Sequence, residues 1–473
     1  MRGLVANRFA LGGLVVLALG ALFGVAWVTR TARGIAQTPT RPQVVPVTSA
    51  IRSCPAPGAG RVAVLAASSG QGRAQLLGAP DRTPLGQVSQ PGRLWLSRTG
   101  FARPSAPRRS HPAAAVIVEA SGHMAQGLDA EQTTYPPNGA SGVSGAQCSQ
   151  PGTDFWFLGP GPARSARLAL RLVNPDSQEA AADVEIFTDT GPLQGNTDTG
   201  IAVPPHGSVV QSMAKLTNGA RVLGLHVRTS VGRVAAAVQA ATGWWRAATA
   251  PATQVVVPGL PRRGTGRRLY LVDPGGDDAQ VHVQAITPAG TYEPTGAGGI
   301  DVPAGSVVAL DLPSLNGIPA ALRLRSTVPV TAAVLVSGRV FTAATDPIEQ
   351  QGVIADNMAG SGYTTSVVVS APASAAKVRI TLVGPSGPLG AGRLVSIRAG
   401  HSANVTAAPP RDARDGVHGF AIVITPVRGS GPVYAGRVLM TRLGGVQMIT
   451  PVPNAPSSVR LPALDSAAGA AVG

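Results

Sequence analysis

A phrase of nine residues, Ile300-Asp301-Val302-Pro303-Ala304-Gly305-Ser306-Val307-Val308, also occurs nearly a hundred residues upstream. There it reads Ile201-Ala202-Val203-Pro204-Pro205-His206-Gly207-Ser208-Val209-Val210, with one residue inserted. Before it, Leu172-Val173-Asn174-Pro175-Asp176 matches Leu271-Val272-Asp273-Pro274-Gly275; after it, Val227-Arg228-Thr229-Ser230 matches Leu324-Arg325-Ser326. Each unit closes on a small-residue run, Val234–Val238 in repeat A and Pro329–Val334 in repeat B. A looser repeat C holds Ile397–Ser402 and Pro432–Val438, and a degenerate first copy closes over Pro112–Val118. A fixed period of this length sets the size of the folding unit.

Within the units apolar residues alternate. Leu168, Leu170 and Leu172 share one face of a strand, as do Leu223, Leu225 and Val227, and Leu322 with Leu324. Period-two alternation marks strands with one face on a core and one in water. Turn formers separate them, as at Asn174-Pro175-Asp176 and Gly384-Pro385-Ser386-Gly387. With 59 glycines and 42 prolines among 473 residues, short strands and turns suit the chain better than long helices. Repeat B supplies about seven strands, the number in an immunoglobulin-like sandwich. The expected fold is all-β, with tandem immunoglobulin-like β-sandwiches after one N-terminal transmembrane helix; a β-propeller is the alternative. The expected order is an N-terminal anchor or signal region (1–36), a linker (37–53), the first repeat (54–150), repeat A (151–250), repeat B (251–345), repeat C (346–455) and a flexible tail (456–473).

From Phe9 to Val28 the sequence carries no charge. About 20 apolar residues cross a bilayer as a helix, whereas a cleaved signal has an apolar stretch of about 7–15. The segment therefore reads as a membrane anchor, or as a signal cleaved near Gly34-Ile35-Ala36, and either assigns the body to the outside of the cytoplasm. The two cysteines, Cys54 and Cys148, agree with export and are read as one disulfide. The Gly/Ser-rich stretch from Ser121 to Ala146 can carry the chain back between them.

Thr153-Asp154-Phe155-Trp156-Phe157-Leu158-Gly159-Pro160-Gly161 resembles the signature of an actinobacterial family of uncharacterised envelope proteins, known as a domain of unknown function. The resemblance extends over most of the chain, through the apolar segment, the spaced cysteines and the two repeat phrases. It implies a membrane-tethered or secreted protein, often encoded among cell-envelope glycosyltransferase genes, and carries over no catalytic residues.

The formal charge of +16 invites nucleic acid, but the arginines are spread out, no nucleic-acid motif accompanies them, and export removes the chain from such partners. Asp277-Asp278 and Asp412 with Asp415 are the nearest approach to a carboxylate pair, and both read as turn acids. The seven histidines, among them His111, His226, His282 and His418, lack metal-ligand spacing. No cofactor motif and no catalytic constellation stand out. Two features suit binding. Trp244-Trp245 offers flat apolar faces to sugar rings, or else fills a seam between repeats. Arg262-Arg263 and Arg267-Arg268 flank Gly264-Thr265-Gly266, a basic loop that suits phosphate or uronate groups, or simply water. The expectation is a non-enzymatic envelope scaffold or binding module, whose partners are the membrane and an anionic wall polymer or envelope protein. The alternative is an enzyme acting on envelope glycans, or its carbohydrate-binding subunit.

Overall fold

The computed structural model describes residues 8–30, 43–55, 60–97, 115–136, 142–161, 168–193, 199–213, 216–217, 219–241, 243–312, 315, 317–410 and 419–461. Asp412, Asp415, His111, His418 and the cleavage motif at 34–36 lie outside these residues, as do the start of the first closing run and most of the tail. The chain divides into two units, Met1–Val45 with Ser458–Gly473, and Pro46–Ser457.

The smaller unit holds the helix Arg8–Arg30, and Gln43–Pro46 pairs with Ser458–Leu461 as a two-stranded sheet. The expected transmembrane helix needs correction: among the described residues no helix is long and apolar enough to cross a membrane.

The larger unit is all-β. In the first repeat the sheet of Ser49–Cys54, Val116–Gly122, Gly72–Gly78 and Thr83–Val88 shares one core with the sheet of Trp95–Leu96, Arg61–Ala66, Leu128–Thr134 and Ser144–Gln147. The strand Ser49–Cys54 ends on the first cysteine. Repeat A pairs a sheet containing Asp154–Pro160, Ala180–Thr188 and Val222–Val231 with one containing Leu168–Val173 and Ala235–Ala240. In repeat B the long strand Ala320–Val336 serves both sheets: its first half pairs with Ala279–Thr287 and its second with Arg267–Val272. Repeat C pairs the sheet of Gly352–Asn357, Phe420–Pro426 and Ala376–Gly384 with that of His401–Ala407, Tyr363–Ala371, Tyr434–Thr441 and Val446–Pro451.

The repeated phrases have local causes. Leu172 lies opposite Ala236 in repeat A as Leu271 lies opposite Ala332 in repeat B, large against small across neighbouring strands. Asn174 Oδ1 accepts from the Asp176 N–H at 2.9 Å, and Asp273 Oδ1 accepts from the Gly275 N–H at 2.7 Å. Both are side chains closing their own turn. The apolar stripe of each strand is buried, as at Leu168, Leu170, Leu172, Leu223, Leu225, Leu322 and Leu324.

The repeats close on one another. Each ends in a short inner strand: Gly243–Trp244, Val340–Ala343 and Val446–Pro451 are hydrogen-bonded to the closing strands of repeats A, B and C, and Ser144–Gln147 to Leu128–Thr134 in the first repeat. The first packs on the second, the second on the third, the third on the fourth, and the fourth on the first. Four inner strands thus ring one centre. Between repeats B and C the approach is so close that a Cβ on Gly436 would collide with the Gly259 backbone. Gly259 itself has φ 81°, which favours glycine.

Candidate functional site

Two places concentrate chemistry: a buried ionic seam and the centre of the ring. The seam joins the first repeat to repeat C. On the strand Leu128–Thr134, Asp129 and Glu131 are two residues apart and so share a face. Both are buried, and repeat C covers them. Arg437, fully buried, donates to Glu131 Oε1 at 2.5 Å, to the Asp356 carbonyl at 2.9 Å and to Thr450 Oγ1 at 2.6 Å. Arg61 grips Asp356 with Nε and Nη2, at 3.0 and 2.5 Å, and its guanidinium lies 4.6 Å from the centre of the Tyr135 ring. The Ala355 and Asp356 backbone N–H groups donate to Asp129 and Glu131.

Burial pushes the Asp129 carboxyl up to about 7 against the pull of Arg52, and raises Glu131 against the pull of Arg437. Perturbed carboxyls invite a catalytic reading. Here Asp129, Glu131 and Asp356 are at most 1% exposed and are engaged by arginines or backbone N–H groups. A glycosidic bond needs two carboxyls flanking it in the open. This cluster holds two repeats together.

The centre differs. Two cavities, of about 230 and about 570 Å³, are each lined by residues of all four repeats, and Trp244 and Arg246 line both. Arg246 is 8% exposed; its Nε donates to the Ile449 carbonyl at 2.9 Å. Burial lowers its guanidinium to about 10, partly offset by Glu131. It therefore stays charged at neutral pH.

Both tryptophans are buried. Trp245 packs against Phe341 of repeat B, ring centres 5.7 Å apart, and sits so near Gly159 that a Cβ there would meet the indole at 2.6 Å. Trp244 packs with Ala146 and Ala237 while lining the cavities. The arginine loop does not act as one patch. Arg267 is buried and donates to the Pro261 carbonyl at 3.0 Å, while its exposed neighbour Arg268 lies 3.8 Å from Asp311. Arg263 reaches the Leu443 carbonyl at 3.4 Å, and Arg262 is exposed. The loop packs behind the turn at Ser337, whose N–H points to Thr265 and Gly266 carbonyls, and that turn lines the larger cavity.

Cys54 and Cys148 form a disulfide, and the Ser53 and Ser149 N–H groups exchange hydrogen bonds with each other's carbonyls beside it. The hairpin of Leu128–Thr134 and Ser144–Gln147 brings the chain back to Cys54. His226 stacks on Trp156, ring centres 3.9 Å apart, and reaches Glu185 at 2.8 Å. Among the described residues no group of His, Cys, Asp and Glu is arranged to hold a metal ion.

Sequence reasoning missed Arg246, although it follows Trp245 directly, and it missed the whole seam. Asp129 and Glu131 alternate with Leu128 and Ala130 as a water-facing side would. A neighbouring repeat covers that side, and a one-strand pattern carries no sign of it.

Residues 105–408, well over half of the chain, match the Family of unknown function (DUF5719). No curated protein matches. Among solved structures, Bacteroides uniformis beta-glucuronidase 2, covalently bound to cyclophellitol-6-carboxylate aziridine, is 9% identical. The match covers 44% of this chain and 26% of that one, with a TM-score of 0.11. The native conformation of E. coli alpha-2-macroglobulin is 10% identical over 89% of this chain and 30% of that one, with a TM-score of 0.12. The chain spans less than a third of either protein's length, and neither likeness is close enough to carry an argument.

Proposed function

We propose that this chain, which belongs to the DUF5719 family of unknown function, is a non-enzymatic, extracytoplasmic scaffold or binding module of the cell envelope. In this reading each repeat is an immunoglobulin-like sandwich, the source is actinobacterial, and the apolar helix Arg8–Arg30 is an export signal. The observation that carries the reading is the ring of four repeats. Its clustered carboxyls are consumed in a seam, while its centre keeps an arginine and an indole beside a cavity. A rigid frame with one such recess suits holding a partner better than bond cleavage. The buried disulfide supports an oxidising compartment outside the cytoplasm. A wall polymer or a membrane-bound assembly is the proposed partner.

A reporter fused after Gly473 tests the location. It is expected to be active only outside the cytoplasm, and activity confined to the cytoplasm would sink the reading. N-terminal sequencing of the exported protein separates a cleaved from a retained segment. Crosslinking in intact cells, followed by identification of captured proteins and glycans, identifies the partner.

A further inference from the structure

We propose that the larger central cavity binds an anionic saccharide unit, with its carboxylate or phosphate on Arg246 and Arg339 and its ring against Trp244. The inference rests on the binding-module reading for the source of the ligand, while the binding itself is measurable on purified protein.

A volume of about 570 Å³ lies within the range of small-molecule sites, about 300–1,000 Å³. Its wall contains two arginines, Arg246 and Arg339, and among the described residues no aspartate or glutamate. The cavity therefore favours negative charge. Arg246 is short of partners. Only Nε is bonded, to the Ile449 carbonyl, and the two terminal nitrogens make no hydrogen bond among the described residues. A nearly buried guanidinium in that state is costly unless an acceptor completes it. Carboxylate and phosphate oxygens match its fork. Glu131 attracts Arg246 without bonding to it, and Arg437 repels it, so the charge is only partly compensated from within.

The rest of the wall suits a sugar better than a bare ion. Trp244, 8% exposed, adds indole surface to the wall, the kind of apolar surface that sugar rings favour. Gln239 accepts from Arg171 Nε through Oε1 at 3.0 Å, which leaves its amide nitrogen as a donor. The Ser337 hydroxyl adds a group that both donates and accepts. Arg339 is exposed, so it meets an entering anion first.

Titration calorimetry on the purified disulfide-bonded protein tests this with four probes: a galacturonic acid disaccharide, galactose 1-phosphate, a neutral galactose disaccharide and inorganic phosphate. The charged sugars are expected to bind, each more tightly than the neutral disaccharide and than phosphate, and more weakly as salt is added. Whether the uronate or the sugar phosphate binds tighter identifies the anionic group. Arg246→Gln should weaken the preferred sugar about 10- to 100-fold, the size of a charged hydrogen-bond pair. Arg339→Gln, at an exposed position, should weaken it by a smaller factor and guards against a folding defect in the first variant. Equal binding of the neutral disaccharide overturns the anionic preference, and equal binding of phosphate overturns the saccharide. Affinity unchanged in both folded arginine variants, or no binding of any probe, overturns the site. A reporter active outside the cytoplasm beside a failed titration would discard the cavity and keep the location. The converse would keep the cavity and discard the location.

Discussion

Repeats A and B meet through one apolar core, whereas the first repeat and repeat C set a buried ionic cluster beside an apolar one that joins Ala63, Leu65 and Leu94 to Val353, Ala355 and Val423. A and B follow one another directly and merge into a single hydrophobic core, with Trp245 of A against Phe341 of B. The other seam joins residues 306 positions apart through Arg437 and Glu131. Apolar contact is non-directional, so a short linker suffices to select the neighbour. Ring closure between the two end repeats has no short linker to guide it. A buried ion pair adds little net stability over an apolar one, but it tolerates few alternatives. The ion pair thus contributes mainly the choice of partner, and the apolar contacts of both seams mainly strength.

The largest expected effect comes from the staple inside the first repeat. Replacing Cys54 and Cys148 by serine opens a loop of 94 residues, for which chain-entropy models give about 4–5 kcal/mol. Denaturant unfolding measures it, and a loss below about 1 kcal/mol would show that the hairpin holds the repeat without its cross-link. Next, Arg437→Met alone should cost about 3–5 kcal/mol because Glu131 is left buried and unpaired. Adding Glu131→Leu should recover most of that loss. If the double variant is no better than the single one, the ion pair supplies strength as well as selection, and the contrast between the seams collapses. In the apolar seam, Trp245→Phe should cost about 1–3 kcal/mol, and no second substitution should restore it.

The seam also predicts a pH dependence. Asp129 holds its proton up to about pH 7 when folded, whereas an exposed aspartate loses it near 4. Its contribution is complete below about pH 4 and is lost as the pH rises through about 7, at a slope of about 1 kcal/mol per pH unit. Asp129→Asn should flatten melting temperature against pH over that window, and an unchanged slope would assign it to another group. The smallest effect belongs to Arg268→Gln. Its 3.8 Å pair with Asp311 is exposed, so stability should shift by no more than about 0.5 kcal/mol.

How much of this was legible follows from what a strand pattern can encode. The stripe Leu168, Leu170 and Leu172 predicts a buried face because that face packs inside its own repeat, and it is buried. The opposite face answers to whatever lies outside the repeat, and the expectation of a Gly/Ser-rich connection from Ser121 to Ala146 hid the strand Leu128–Thr134 that carries Asp129 and Glu131. The Trp244-Trp245 pair stood out as adjacent flat apolar faces, and in the structure Trp245 packs on Phe341 of repeat B. Arg246 had no distinguishing sign among so many arginines; only three-dimensional placement makes it short of partners. Gly159 in the family signature was legible as part of a motif, but its role in admitting the Trp245 indole was not.

The long reach of the Arg437–Glu131 contact sets an order of events. A chain made from its N-terminus can complete the first repeat and its disulfide long before Arg437 exists. Until then Asp129 and Glu131 stand in water beside Leu65 and Ala63, their partners on the neighbouring strand, and put charge on a face that would otherwise be apolar. An apolar patch at the same place would invite misassembly with whatever sheet arrived first. The carboxyls interrupt that patch, and the repeat that brings Arg437 pairs with Glu131 and covers the apolar residues beside it.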